Sequence, residues 1–417
     1  MVQMEVYLFY AIVVILVGGY LLERLLDWLN LKHRSTKLPD ELEDVYSAEQ
    51  YRKQQAYEST NERFYFLTAT FSLIVILLML FFEGFALLDR WLRLLTEHPI
   101  LLTLFYFATI AVLSDIINIP FAWYKVFSIE ARFGFNKTTP GTFISDKLKS
   151  WVVGGIIAGG LLSAMLIFFR FAGKDFWIYA WILTGLFMFF MNMFYSRLIV
   201  PLFNKQSLLE DGDLKEAIQT FARKADFEVE NIYVIDGSKR STKANAYFTG
   251  LGKRKRIVLY DTLIQDLSIP QIIAVLAHEI GHYRHKHTHS ALILSLLQIG
   301  FTLFLLSLFI ELPQFSYVLG AEKPGIHLSL LVFSLLYSPI SMVLGIALNG
   351  WSRKNEYEAD AFAASFGLAD DLIGALKALS ANNLSNLTPH PWYVWLHFSH
   401  PTLLQRIRAL KSTSRES

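Results

Sequence analysis

The sequence predicts a mainly α-helical, polytopic membrane protein, with about seven transmembrane helices and a soluble part that contains a small β-element. Three observations predict it. Of 417 residues, 53% are hydrophobic and 34 are Phe, an apolar content above that of ordinary globular domains. Apolar runs long enough to cross a bilayer, roughly 17 or more residues, recur through the chain. Between 231 and 263 the pattern changes to short apolar stretches bounded by turn residues.

Taken in order, the predicted spans are 6–22, 64–88, 99–121, 151–169, 176–195, about 290–310 and 328–348. The flanks of the first argue against a cleaved signal peptide, because no basic residue precedes it and helical sequence continues beyond Glu23 and Arg24. Basic residues set the orientation. The connection after the first span holds Arg24, Lys32, Arg34, Lys37, Arg52, Lys53 and Arg63, and the one after the third holds Lys125, Arg132, Lys137, Lys147 and Lys149. The other connections between spans are poor in Lys and Arg, so these two, the region after the fifth span and the C-terminal tail are expected on the cytoplasmic side. The N-terminus is then outside, which fits an odd number of spans. Polar groups within spans (Glu83, Asp115, Asn118, Asn192) mark either a hydrated interior or helix ends that reach the interface.

Between the spans, residues 40–63 read as an amphipathic helix that Ser47 can cap, and 122–150 as a connection broken by Gly134 and Pro140. Residues 232–235, 245–249 and 256–260 read as strands. An edge of that β-element could pair with an extended peptide, or the hairpin could be structural alone.

Two stretches carry the chemistry. His278-Glu279-Ile280-Gly281-His282 reads H-E-x-x-H. Positions i and i+4 share a helical face, so the two imidazoles can bind one zinc ion with Glu279 beside them as general base. Ser268 or Asp266 can cap this helix, Pro270 suits its first turn, and Ile272, Ile273, Leu276 and Ile280 give it an apolar stripe. The second stretch is Asn355-Glu356-Tyr357-Glu358-Ala359-Asp360. Glu356 is the expected third ligand and Glu358 the alternative, since residues two apart cannot share a helical face. Asp360 could orient a ligating histidine. Downstream, His400 and Arg406 could stabilise an oxyanion, although a lone His-Pro is more often a loop. His285, His287 and His289 miss the spacing of a third histidine ligand and read as an interfacial cluster at the start of the sixth span.

Several classes are excluded. The chain has no cysteine, hence no disulfide, thiolate ligand or cysteine nucleophile. A net charge of +2 with no basic stripe argues against nucleic acid as a partner. No Walker A or G-x-G-x-x-G pattern is present. Sequons at Asn136, Asn383 and Asn386 fall on the expected cytoplasmic side, where glycosylation is not expected.

His278-Glu279-x-x-His282 with Glu356 and Asp360 resembles the integral-membrane zinc proteases. Tyr51, Tyr57, the run from Ile129 to Asn136, Asn245-Ala246-Tyr247-Phe248-Thr249-Gly250, and Ser399-His400-Pro401 with Arg406 narrow the resemblance to the type I CAAX prenyl protease family. The likeness covers nearly the whole chain. It implies seven helices around a water-filled chamber, capped by a cytoplasmic zinc-metalloprotease domain with a small β-element. It implies one Zn2+ per chain on His278, His282 and Glu356, and Glu279 as the catalytic glutamate. By the same resemblance Asn245 anchors substrate backbone, His400 and Arg406 flank the metal, and Asp360 holds a zinc histidine. The implied partners are membrane lipids and a peptide or protein substrate, in the family one with a C-terminal prenylated cysteine followed by three residues.

The expected division is 1–200 for five spans with their connections and 201–289 for the zinc-protease region with the β-element. Residues 290–350 then hold the last two spans, and 351–417 the rest of the protease domain. With no retrieval tail and compact connections, a bacterial inner membrane is the expected location, or the endoplasmic reticulum in a eukaryote. Two rival readings are a quality-control membrane zinc protease without lipid preference, and a transporter or lipid-binding protein with an incidental H-E-x-x-H.

Overall fold

The computed structural model describes residues 2–34, 38–229, 231–243, 246–249 and 256–416. Among them, six stretches are long and apolar enough to cross a membrane. The longest, Pro140–Phe203, is broken by a 3-10 turn at Gly173–Asp175, so the apolar runs occupy seven helices. These are Val2–Lys32, Ala48–Phe81, Pro99–Tyr124, Pro140–Ala172, Phe176–Leu198, His287–Phe309 and Ile326–Ser365. Their outer faces carry exposed large side chains such as Val14, Phe71, Ile156, Leu186 and Leu297, as expected where lipid rather than water is the solvent.

Two spans depart from their predicted extent, in three respects. The second begins earlier, because Ser47 caps the helix in a reciprocal box with Gln50 and the amphipathic stretch then runs without a break into the apolar one. It also ends earlier, at Phe81. Glu83 adopts a left-handed φ of 51° and starts a separate helix, Gly84–Arg93, which lies across the end of the bundle. There Asp89 accepts from Arg93 and pairs with buried His327 at 2.7 Å, closing the pole away from the metal-ligand residues. The seventh span is the third difference. The helix over 326–365 has 40 residues, so the last apolar run and the second chemical motif share one rod. The expected boundary between 350 and 351 therefore falls inside a helix.

The sheet has four strands, β1 (Gln206–Leu208), β2 (Asn231–Ile235), β3 (Ala246–Thr249) and β4 (Arg256–Tyr260), in the order β1-β2-β4-β3. β2 and β4 are parallel, and β3 pairs antiparallel to β4 as an edge strand. Three of these strands match the predicted ones. β1, only three residues long, carries no alternation that could announce it.

One apolar core unites the parts outside the spans. Leu42 and Tyr46 from the first connection, Phe133 from the second, Ile257 from β4, Ile280 from the H-E-x-x-H helix and Ile407 from the tail all belong to it. The third span reaches this core by continuing through a π-helical stretch, Lys125–Glu130, into Ala131–Phe133 before Gly134 ends it at φ 89°. The two Lys- and Arg-rich connections thus pack against the metal-ligand region and lie on its side of the bundle.

Candidate metal centre

The H-E-x-x-H helix is Ile269–Arg284. Ser268 donates its backbone N–H to Gln271 Oε1 at 3.0 Å, and Pro270 occupies the first turn, as the sequence predicts. Arg284 fixes the other end by donating to the Ala225 and Asp226 carbonyls.

Gly281 sets how closely this helix meets the long one. A Cβ there would lie 3.0 Å from the Ala359 Cα and 3.0 Å from the Phe362 Cβ. With glycine opposite alanine the two backbones touch, which places Glu356 above the histidine pair.

His278 and His282 turn their Nε2 atoms to one another at 3.2 Å. Glu356 faces both, with Oε1 3.2 Å from His282 Nε2 and Oε2 3.5 Å from His278 Nε2. One ligand atom from each of the three lies within 4.8 Å of the others. Glu356 is 4% exposed, and its Oε2 has no hydrogen-bond partner among the described residues. Two imidazole nitrogens and a buried, unpartnered carboxylate oxygen aimed at one point form a donor set that a divalent cation would satisfy. Glu358, the alternative ligand, points elsewhere and binds His287.

Both histidines are held from behind. His278 Nδ1 is 2.8 Å from Asp360 Oδ1, as the i+4 spacing from Glu356 suggests. Behind His282 stands a residue that the sequence reading misplaces. His287 is buried rather than interfacial; its Nδ1 lies 2.9 Å from His282 Nδ1, and its Nε2 lies 3.0 Å from Glu358 Oε2. One tautomer set completes this chain: His282 Nδ1–H donates to His287, and His287 Nε2–H donates to Glu358. His282 Nε2 then keeps its lone pair for a metal. A residue five positions on does not share a helical face with His282. Lys286 at φ 58° ends the first helix and turns the chain so that His287 swings back.

Glu279 lines a cavity of about 650 Å³ together with His278, His282, Glu356, His400 and Arg406. Burial pushes its carboxyl pKa up, against the pull of His278 and His282. His400 reaches Glu356 Oε1 at 3.3 Å, is largely exposed, and is braced by Ser399 through its Nδ1 at 2.9 Å. Arg406 is buried, and its Nε and Nη2 bind both oxygens of Asp360, at 2.9 and 2.5 Å. Its Nη1 faces Glu356 Oε2 at 3.5 Å.

Asn245 lies outside the described residues, immediately before edge strand β3. Two of the other motif residues meet. Tyr57 donates to Glu130 at 2.8 Å, and Lys243 reaches both.

A family model described as the CAAX prenyl protease N-terminal region, with five membrane helices, matches residues 27–205. The model of peptidase family M48 matches 208–414. An Arabidopsis thaliana protein named CAAX prenyl protease 1 homolog is 35% identical, over 95% of this chain and 96% of that protein. The Saccharomyces cerevisiae CAAX prenyl protease 1 is 34% identical, over 92% and 91%, and the Homo sapiens homolog 31%, over 91% and 89%. The crystal structure of Ste24p from S. mikatae superposes with a TM-score of 0.91 at 31% identity, covering 97% of this chain and 99% of that one.

Proposed function

The chain belongs to the CAAX prenyl protease family of M48 peptidases and is a membrane metalloprotease, and from that footing we propose that it is a zinc endopeptidase which removes the C-terminal tripeptide from prenylated proteins. The observation that carries the reading is the convergence of His278, His282 and Glu356 around one point with Glu279 in the same cavity.

In this reading His278, His282 and Glu356 would hold zinc. Zinc bound there would acidify water and polarise the carbonyl to be attacked. Glu279 takes the proton of the attacking water and later delivers it to the leaving amine, and its burial keeps that carboxyl apt for both tasks. His400 Nε2 donates to the developing oxyanion, worth roughly 2–4 kcal/mol by comparison with other hydrolases. Arg406 spends two donors on Asp360, so it contributes field and positioning, with Nη1 alone turned to the cavity. Asn245 and edge strand β3 would hold substrate backbone.

The protein spans a membrane several times. We place its catalytic side in the cytoplasm, because the Lys- and Arg-rich connections pack against the site. The membrane is the inner membrane in a bacterial host and the endoplasmic reticulum in a eukaryotic one. The proposed division keeps 1–200 and 290–350 as the membrane body, with 201–289 and 351–417 forming the protease region.

The test follows cleavage, by purified protein in detergent, of a farnesylated peptide ending in C-a-a-X and of its unfarnesylated twin, with Glu279→Gln as control. Preference for the farnesylated peptide that vanishes in the control is the expected result. Equal cleavage of both discards the lipid preference in favour of a quality-control protease.

A further inference from the structure

A second cavity, of about 630 Å³, lies between the C-terminal end of the first span helix, the N-terminal half of the second and the segment that precedes His400. Its charge is one-sided. Glu23, Asp27, Glu58 and Glu62 line it, while Arg24 is the one lining cation among the described residues. Arg34 reaches in to Glu62 at 2.6 Å and Glu58 at 3.5 Å, leaving four carboxylates against two guanidinium groups. The carboxylates have internal partners: Arg24 on Asp27 at 2.8 Å, His397 on Glu23 at 3.3 Å, Asn386 on Glu58 at 2.6 Å. Counted with these partners, the carboxylates still outnumber the guanidinium groups by four to two.

A second observation points to a ligand. Asn61 is 9% exposed and lines the cavity; its Nδ2 donates to the Tyr57 carbonyl, and its Oδ1 has no hydrogen-bond partner among the described residues. A buried acceptor in a negative recess calls for a donor that carries positive charge. The walls add aromatic rings from Tyr65, Tyr393 and Phe398. Burial, and then the charges of Asp27, Glu23, Glu62 and Glu58, push the Tyr393 hydroxyl up to about 12, a sign that these carboxylates bear on one place. Carboxylates with aromatic faces suit an organic cation. They do not suit a metal ion: among the described residues, only His278, His282 and Glu356 are grouped closely enough to hold one.

The position of the recess says what brings the cation. Phe398 lines it and His400 lines the metal cavity. Two residues span at most about 7 Å, so the cavities are neighbours across one short wall. That wall is tied to the ligand helix, where Arg353, three residues before Glu356, donates to the Phe398 carbonyl at 2.6 Å. We propose that the recess binds the lysine or arginine side chain of a peptide substrate held at the metal centre. The proposal rests on the protease reading and adds a specificity site to it.

Full-length, zinc-loaded protein in detergent is given peptides with one lysine at successive positions around the cleaved bond, each beside a norleucine twin. The expected result is a tenfold or greater kcat/KM preference for lysine at one position. The preference falls below threefold in the double variant Glu23→Gln/Asp27→Asn, whose zinc content and thermal midpoint check its fold. Binding of the same peptides to the Glu279→Gln protein, by fluorescence anisotropy, separates the two claims. If nothing is cleaved, yet lysine-selective binding exists and the double variant loses it, the protease reading falls and the recess stands. A ratio near one at every position in both measurements overturns the recess, and so does a preference that the double variant retains. Retention of phosphatidylethanolamine without any lysine preference assigns the cavity to a lipid amine and overturns it as well.

Discussion

Replacing His287 with alanine removes a side chain that is not among the converging ligands. It should nevertheless weaken zinc binding. His282 can present its Nε2 lone pair only while Nδ1 carries the proton, and the acceptor for that proton is His287 Nδ1 at 2.9 Å. Without it, the imidazole of His282 is free to rotate, which takes Nε2 away from the metal position, or to exchange tautomers, which puts an N–H there. Loss of such an orienting partner typically costs 10–100-fold in metal affinity, or roughly 1.4–2.7 kcal/mol. Glu358 acts one bond further out and is partly exposed, so Glu358→Gln should cost less than about tenfold.

Competition with a chromogenic chelator gives the zinc dissociation constant for each variant in detergent. Because His287 is buried, alanine also leaves a void that lowers the thermal midpoint by itself. The discriminating quantity is therefore the coupling: adding Glu358→Gln to His287→Ala should cost nothing further, since the chain is already cut. A dissociation constant unchanged in folded His287→Ala protein, or full additivity of the two substitutions, would refute the orienting chain.

Three further outcomes are expected. Glu279→Gln keeps one zinc per chain but loses at least about a hundredfold in turnover, and normal turnover would remove Glu279 as the base. Glu356→Ala loses zinc by metal analysis; because Glu358 is engaged with His287, it should not substitute, and a variant that stays at one zinc per chain would sink the ligand assignment. Gly281→Ala forces the two ligand helices apart by a few tenths of an ångström, with about 1–3 kcal/mol of strain, visible as a lower thermal midpoint and faster zinc loss to chelator. An alanine variant as stable as the parent would show that the close approach is not what seats Glu356.

Much of the membrane body was legible because its signal is long-range and simple. A run of apolar residues means the same thing wherever it occurs, and all seven runs are helical. What composition could not mark was where a helix stops. The second span ends at a left-handed Glu83, although Phe85, Leu87 and Leu88 keep the sequence apolar beyond it. The seventh does not stop at the membrane edge at all. Polar residues after 348 read as a new region, whereas the backbone continues to Ser365, since nothing in Asn349 to Asp360 breaks a helix.

The same contrast runs through the site. Ligand spacing within one helix is local, so His278, His282 and the pairing of Glu356 with Asp360 could be read from periodicity alone. The partners of those ligands come from elsewhere, through contacts that spacing does not encode. His287 reaches His282 only because one lysine takes a conformation that L-residues rarely adopt. Arg406 reaches Asp360 from 46 positions away, a pairing that no local spacing announces. The arrangement has a consequence for how the site holds together. The third ligand sits on the rod that also forms the seventh span, and Gly281 meets that rod at backbone distance. The position of Glu356 therefore depends on a helix that belongs to the membrane body as well as on the close approach at Gly281.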